Sequence, residues 1–377
     1  MSINHSMVPF FLFLLLLFYF PLSFHSCITY WCHYTPNYDP VYIEGKIYFV
    51  DVRGTLYIID QQGKVDKIKL VKEGEKVEEW GIFYRPIVPC GNRIFINIKE
   101  QSIISLNYQG ELTEYKVEEA KFSPYFFLYC TTQGLFMINQ DIMIPPDNRI
   151  MRIFDISDLL SPNREIKPKL LGEFDKVCEP LGIRNFFPFP SSNIWLICRD
   201  KNYNYKVFKF DPQTSNFFEV SEFAGLYSTL IYDSIIIRVK GFWSEGKYIY
   251  AIIARDISGN LLWKREFDHY WERSFLIGGA IVMLRQDIKE HHRQIKTILE
   301  KYIFLSPYTG EVLLEKDIRF EVPGYIIGEE ITPEWELYII WINEEKAKKE
   351  ILLLDLKNGG VKWKLDLDFA PPTCIKK

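Results

Sequence analysis

The segment Asp256-Ile-Ser-Gly259-Asn-Leu-Leu-Trp263 decides the fold, because its pattern recurs along the chain. An apolar run, Tyr248 to Ala254, leads into the Asp, and a second apolar stretch leaves the turn through Trp263. Gly or Asn after the Asp supplies the positive φ that a two-residue hairpin turn needs. The segment therefore predicts a β-hairpin.

Copies of this pattern place turn residues at regular intervals. The turn residues are Gly63, Gly110, Ser215, Gly259, Gly310 and Gly359. Successive gaps are 47, 105, 44, 51 and 49 residues, so one copy is hidden in the long gap. Phe154-Asp155-Ile-Ser-Asp158 fills that place and makes seven copies, about 49 residues apart. Four-stranded propeller blades repeat with a similar period of about 40 to 50 residues.

Each copy also carries short runs rich in Ile, Tyr, Phe and Val, which suit half-buried strands. No convincing amphipathic helix is found. The repeats predict an all-β, seven-bladed propeller over residues 41–368, since a closed ring protects its edge strands. Eight blades are the alternative, because the third copy is long. We expect the strand near Val41 to Val50 to share a sheet with the strand near Val361 to Leu367 and so close the ring.

The motif Asp-x-x-Gly-x-x-x-Trp, after a strand rich in Tyr and Ile, resembles the blade repeat of the quinoprotein-like β-propellers. The resemblance covers residues 41–368 and implies the fold. It implies no single function, because such repeats occur in quinone enzymes, in the sensor domains of kinases and in assembly scaffolds. Trp263 and Trp363, four residues after their turn glycines, are interpreted as packing between blades.

The residues that quinone-dependent relatives use are not apparent in the sequence. Those enzymes resemble one another in a vicinal Cys-Cys pair, an Asp base and oxygen ligands for calcium, and this chain has no Cys-Cys dipeptide. We therefore predict no catalytic, cofactor-binding or metal-binding residues. His291 and His292, with Asp287 and Glu290, could bind a metal weakly, but we interpret 287–294 as an exposed polar hairpin loop. The run 344–350 is interpreted as a charged hairpin tip.

Amino-acid composition and net charge limit the kinds of partner that the chain could bind. The chain has 377 residues, 48% of them hydrophobic and 16% aromatic, which is enough for a large core. The formal net charge is −4 and no Lys/Arg cluster stands out, which argues against nucleic acid as the main partner.

The N-terminus carries an uncharged apolar run from Val8 to Phe24. Its length lies between that of a secretory signal and that of a spanning helix, and Pro21 favours a signal. No Lys or Arg precedes Lys46, so the usual basic start is missing. We divide the chain into a signal peptide or membrane anchor (1–26), a tether (27–40), the propeller (41–368) and a C-terminal tail (369–377).

Seven cysteines follow the apolar run, in the part predicted to be exported. They are Cys27, Cys32, Cys90, Cys130, Cys178, Cys198 and Cys374. An oxidising compartment permits disulfides, and Cys27–Cys32 and Cys178–Cys198 are the candidate pairs. As alternatives, Cys130 and Cys198 are buried small hydrophobes, Cys27 is an acylated lipoprotein cysteine, or Cys27 to His33 is a stretched haem-attachment motif.

The hypothesis is an exported or membrane-tethered, non-catalytic propeller that binds a protein or peptide on its loop-rich face. It needs no cofactor, and contact with the membrane would be through residues 8–24. The alternative is a quinoprotein-type oxidoreductase or a hydrolase with acidic residues at the mouth of the central channel. Three or more converging carboxylates or histidines would favour the enzyme, and an apolar or Tyr-lined channel would favour the scaffold.

Overall fold

Seven four-stranded antiparallel sheets follow one another along the chain, each with its strands in sequence order across the sheet. The computed structural model describes residues 40–51, 53–72, 87–99, 102–117, 126–140, 150–161, 168–175, 177–180, 191–199, 205–221, 229–244, 247–267, 273–277, 279–291, 294–343 and 348–368. The predicted seven-bladed β-propeller is confirmed. The described residues form seven blades and not the alternative eight. The propeller fold that the resemblance implies is thus present.

The first four blades contain strands β1 to β16. Blade 1 comprises β1 (Val41–Ile43), β2 (Lys46–Val50), β3 (Thr55–Asp60) and β4 (Val65–Lys69). Blade 2 comprises β5 (Ile87–Cys90), β6 (Arg93–Lys99), β7 (Ser102–Asn107) and β8 (Leu112–Lys116). Blade 3 comprises β9 (Phe126–Thr131), β10 (Gly134–Gln140), β11 (Met151–Asp155) and β12 (Lys169–Phe174), with a short 3-10 helix at Ser157–Leu160. Blade 4 comprises β13 (Val177–Pro180), β14 (Ile194–Arg199), β15 (Tyr205–Asp211) and β16 (Asn216–Ser221).

The last three blades contain longer strands. Blade 5 comprises β17 (Thr229–Tyr232), β18 (Ile235–Ser244), β19 (Lys247–Asp256) and β20 (Leu261–Phe267). Blade 6 comprises β21 (Arg273–Ile277), β22 (Ala280–His291), β23 (Gln294–Leu305) and β24 (Val312–Pro323). Blade 7 comprises β25 (Tyr325–Ile331), β26 (Glu336–Asn343), β27 (Lys348–Asp355) and β28 (Gly360–Asp366).

The first strand of each blade lies at the axis of the ring and the fourth at the periphery. First strands of neighbouring blades contact one another, as β5 does with β9, β17 with β21 and β1 with β25. Peripheral strands alternate between exposed and half-buried residues, as along β24 and β28. Buried Ile, Leu, Val and aromatic side chains fill the space between sheets and form the core.

The ring has two unlike ends. The turn face carries the connections from the first to the second strand and from the third to the fourth strand of each blade. The hairpin face carries the connections from the second to the third strand and from one blade to the next. These two names are used below.

The Asp-Gly turns lie on the turn face, and their geometry corrects one detail of the prediction. Four residues, not two, join β3 to β4, and the Asp60 Oδ1 atom accepts hydrogen bonds from the Gln62 and Lys64 N–H groups at 2.9 and 2.8 Å. The Asp side chain thus organises a longer turn. Gly63 has φ +84°, and Ser215 takes the same left-handed conformation at φ +57° in the copy that lacks glycine.

The predicted sharing of a sheet between the chain's first and last strands is wrong. β1 to β4 form one sheet and β25 to β28 another, because both end blades already have four strands and none is left to exchange. Side chains and main-chain groups close the ring instead. The Trp363 Nε1–H donates to the Gln61 oxygen at 2.8 Å, and the Tyr57 hydroxyl donates to the Asp368 oxygen at 2.5 Å.

Parts of two predicted loops belong to strands. β22 and β23 shift register between Arg285 and Gln286 and then stay paired as far as His291 with Gln294, so residues 287–291 extend a strand rather than form a loop. β27 begins at Lys348, and Glu350 is buried at 2% exposure, so the end of the predicted charged tip belongs to the sheet. In both places strand pairing extends beyond the apolar run.

Several predictions fall outside the described residues. They concern the signal or anchor, the tether, the pair Cys27–Cys32 and the tail 369–377. Within the described ranges, no helix has the length and apolar character needed to cross a membrane.

Candidate functional site

The axis of the ring is lined by buried, mainly apolar first strands. Fifteen of their described side chains are 8% exposed or less: Val41, Tyr42, Ile43, Ile87, Cys90, Phe126, Leu128, Thr131, Cys178, Thr229, Leu230, Ile231, Glu329, Glu330 and Ile331. Most of these buried residues are apolar, and Glu329 and Glu330 are the charged ones among them.

Two carboxylates lie on the first strand of blade 7. Glu329 and Glu330 are 3% and 0% exposed, and adjacent residues of a strand face opposite sides of the sheet. The Glu330 Oε1 atom accepts a hydrogen bond from the Tyr42 N–H at 3.3 Å, which joins blade 7 to blade 1. The described residues contain no group of three His, Cys, Asp or Glu placed to hold a metal ion.

Lysines neutralise two further buried carboxylates of blade 7. The Glu350 Oε1 atom lies 2.9 Å from the Lys364 Nζ atom, and Glu336 pairs with Lys362. Lys364 Nζ also lies 4.9 Å from the centroid of the Trp341 ring. These lysines reach inward from β28, and their pairing suits a structural role better than general acid–base chemistry.

Tyrosines line the seam between blades 7 and 1. The Tyr42 and Tyr338 ring centroids lie 6.3 Å apart. Burial, followed by the Glu334 carboxylate, raises the pKa of Tyr42 to about 12, and burial also raises the pKa of Tyr338. Both hydroxyls therefore stay protonated at neutral pH. They can donate hydrogen bonds, but they are poor bases.

Each of the two motif tryptophans lies against a turn of the next blade around the ring. The Trp263 Nε1–H donates to the Pro307 oxygen at 2.8 Å, and a Cβ on Gly310 would lie 2.5 Å from the Trp263 ring. A Cβ on Gly63 would lie 3.3 Å from Trp363. Glycine in the turn thus lets the neighbouring blade's indole approach the main chain.

Four cysteines form two disulfides. Cys178 joins Cys198, the residue directly opposite it on the neighbouring strand of blade 4. Cys90 joins Cys130 and links the first strands of blades 2 and 3. Cys130 and Cys198 are therefore half-cystines rather than free buried thiols. The Cys90–Cys130 pair was not among the predicted pairs, although each cysteine falls near the end of its blade's first strand, a positional match that could have revealed it.

The blades differ most from one another in the length of the strands that reach the hairpin face. β18 and β19 have 10 residues each, whereas β22, β23 and β24 have 12 each. Because the second and third strands join on this face, the added length projects there. Departures on one face of a repeat protein often mark its binding face.

The turn face keeps the regular repeat, but its rim bears exposed apolar side chains. Tyr308, Leu261 and Leu313 are 55%, 56% and 55% exposed. Leu112, Leu170, Phe218 and Val361 occupy similar places near the starts of the other fourth strands. Scattered single apolar residues are normal at protein surfaces, and these are spread around the ring.

A comparison with protein-family models finds no match, and neither does a comparison with curated protein sequences. Among solved structures, a prolyl endopeptidase is similar at 11% identity and a TM-score of 0.55, over 89% of this chain and 50% of that one. This chain thus spans half the length of that protein. The likeness supports the fold alone.

Two other structures have lower TM-scores. BamB from Moraxella catarrhalis is 12% identical, with 79% of this chain and 80% of that chain covered and a TM-score of 0.38. The computationally designed protein Ika8 is 11% identical, with 90% of each chain covered and a TM-score of 0.46.

Proposed function

We propose that this chain is an exported or membrane-tethered, non-catalytic propeller that binds a protein partner through its hairpin face. The observation that carries the proposal is the asymmetry of the ring. Length is added on the hairpin face of blades 5 and 6, while most of the described buried residues on the first strands are apolar. Projecting hairpins of this kind are better suited to contact with the surface of another protein than to binding a small molecule.

The carboxylates give the enzyme alternative less support. A quinoprotein-type or hydrolytic site at the channel mouth would need acids or histidines that converge. The buried acids Glu336 and Glu350 are instead paired with lysines at the periphery of blade 7. Glu329 and Glu330 follow one another on β25 and so face opposite sides of the sheet.

Two features support export. The apolar N-terminal run has the composition of a signal or anchor, and two disulfides link the four described cysteines. Disulfides persist in oxidising compartments and are rare in the cytosol. Both features favour a propeller outside the cytoplasm.

The binding face can be tested with a photo-crosslinking residue at either end of β24. Glu321 and Leu313 are both exposed, and the strand places Glu321 toward the hairpin face and Leu313 toward the turn face. Introduced into the full chain in its own cells, the probe at 321 should give a discrete crosslinked protein, and the probe at 313 should not. Crosslinking only from 313 would contradict the proposed face. Turnover of alcohols or sugars by purified protein supplied with quinone and calcium would contradict the non-catalytic assignment.

A further inference from the structure

The turn between β27 and β28 contains an Asn-Gly pair. Asn358-Gly359 is the only Asn-Gly dipeptide in the sequence, and Gly360 follows it. Asn358 is exposed, and a Cβ added at Gly359 or Gly360 would meet nothing within 4 Å. The main-chain nitrogen that follows the Asn side chain is therefore not shielded by a neighbouring side chain.

These groups can react with each other within the chain. The Gly359 nitrogen can attack Cγ of Asn358, so that a new C–N bond forms and the proton of the nitrogen passes to water. The bond between Cγ and Nδ2 then breaks, and the Nδ2 group takes up a proton from water and leaves as ammonia. Water opens the resulting five-membered succinimide at either carbonyl, which leaves an aspartyl or an isoaspartyl residue at position 358. Because nucleophile and target belong to adjacent residues, the attack needs no second molecule.

The turn holds both reacting groups in hydrogen bonds to one residue. The Gly359 N–H donates to the main-chain oxygen of Asp355 at 2.7 Å, and Asn358 Nδ2 donates to Asp355 Oδ2 at 2.7 Å. The reaction therefore requires the turn to open. Exposed turns open locally at a small fraction of the free energy of global unfolding, so opening limits the rate of the reaction without blocking it.

We propose that Asn358 is a site of spontaneous deamidation and that Asp355 sets its rate. The product lacks the N–H group that Asp355 Oδ2 accepts, and it places a second carboxylate beside the first. Like charges at such a distance repel each other, and the isoaspartyl form also adds a carbon atom to the main chain of the turn. Deamidation therefore loosens the connection between the third and fourth strands of blade 7.

The turn of blade 5 provides a control within the same chain. Asn260 Nδ2 donates to Asp256 Oδ2 at 2.8 Å, which matches the contact in blade 7. Leu261 follows Asn260, however, and its branched side chain hinders attack by its own nitrogen. Asn260 should therefore remain unmodified under conditions that convert Asn358.

The first test follows both asparagines in the purified full chain during incubation in mildly alkaline buffer, with peptide mass spectrometry as the readout. The Asn358 peptide should show the mass change of deamidation and become a substrate for an isoaspartyl methyltransferase, while the Asn260 peptide should not. The chain unfolded in urea serves as the positive control. An Asn358 that stays intact in the folded chain while the unfolded chain is converted would overturn the proposal.

The second test measures the control that Asp355 exerts on the rate. Asp355→Ala removes the acceptor of Asn358 Nδ2 and should speed deamidation by roughly tenfold, because a hydrogen bond that resists opening is lost. Asp256→Ala removes the equivalent acceptor in blade 5 and should leave the rate at Asn358 unchanged, so the pair of variants separates the local effect from a general loss of stability. An equal rate in the wild type and Asp355→Ala, or equal acceleration in both variants, would contradict the role of Asp355.

Discussion

At the residue scale, the repeat depends on an Asp that accepts hydrogen bonds and on a Gly that leaves space. In the turn after β19, the Asp256 Oδ1 atom accepts from the Ser258 and Asn260 N–H groups at 2.9 and 2.8 Å. The turn after β27 repeats this, with Asp355 Oδ1 accepting from the Lys357 and Asn358 N–H groups at 2.8 and 3.2 Å. The same side-chain chemistry thus builds the turn where the flanking residues differ.

Gly310→Ala should destabilise the protein more than Gly359→Ala. Both glycines have positive φ, +69° and +72°, so each Ala costs about 1–2 kcal/mol in backbone strain. At Gly310 the Cβ would also lie 2.5 Å from the Trp263 ring, whereas at Gly359 nothing lies within 4 Å. This overpacking adds about 1–3 kcal/mol. Urea unfolding measures the difference, and equal midpoints for the two variants would contradict the indole contact.

The turn carboxylates should make stability depend on acid pH. Hydrogen bonds from the Asn260 side chain and main chain lower the pKa of Asp256. Burial opposes the shift at Asp355, but hydrogen bonds from Asn358 and Lys357 lower its pKa overall. A depressed pKa stabilises the fold above the unfolded value of about 3.9, and this contribution is lost as pH falls through the folded pKa.

The prediction is a fall in the free energy of unfolding below about pH 4 that is smaller in the double variant Asp256→Asn with Asp355→Asn. Asn keeps an acceptor oxygen for the hydrogen bonds of the turn but carries no charge. The double variant therefore removes the ionisation of the carboxylates and leaves the turn geometry in place. Urea titrations between pH 2 and pH 6 measure the slope. Equal slopes in the wild type and the double variant would contradict the assignment.

At the element scale, the sequence predicts the blades well and their ends poorly. Periodic Gly turns and Ile/Tyr-rich runs identify the seven repeats, because turn chemistry and strand propensity are local properties. The sequence does not predict where β22 ends. Most residues from Asp287 to His291 are polar, and they belong to the strand because they pair with β23. The Cys90–Cys130 link could have been found only by comparing positions between repeats, and the neutralisation of Glu350 by Lys364 depends on a contact between strands that no local pattern specifies.

The seam between the end blades should depend on the last two described residues. Leu367 is 8% exposed, and its N–H donates to the Lys349 oxygen at 2.9 Å. The Asp368 oxygen accepts from Tyr57 and, at 2.9 Å, from the Arg53 Nη2 group. A chain that ends at Asp366 should therefore be about 3 kcal/mol less stable than one that ends at Asp368. Equal urea midpoints for the two truncations would show that the seam closes without these residues.

At the scale of the whole molecule, the ring is closed without a shared strand. Side-chain contacts join blade 7 to blade 1, and Cys90–Cys130 ties blades 2 and 3 covalently near the axis. On the chain-entropy estimate, a link across 40 residues contributes about 4 kcal/mol. Among the described residues, Cys90–Cys130 is the covalent link between two blades.

We propose that this closed propeller lies in an oxidising compartment. Thiol alkylation in the intact source cells, followed by digestion and mass spectrometry without reduction, measures the state of its cysteines. The expected result is linked peptides that contain Cys90 with Cys130 and Cys178 with Cys198. Recovery of these four cysteines as alkylated free thiols would contradict it, because disulfides between such close cysteines would persist outside the cytoplasm.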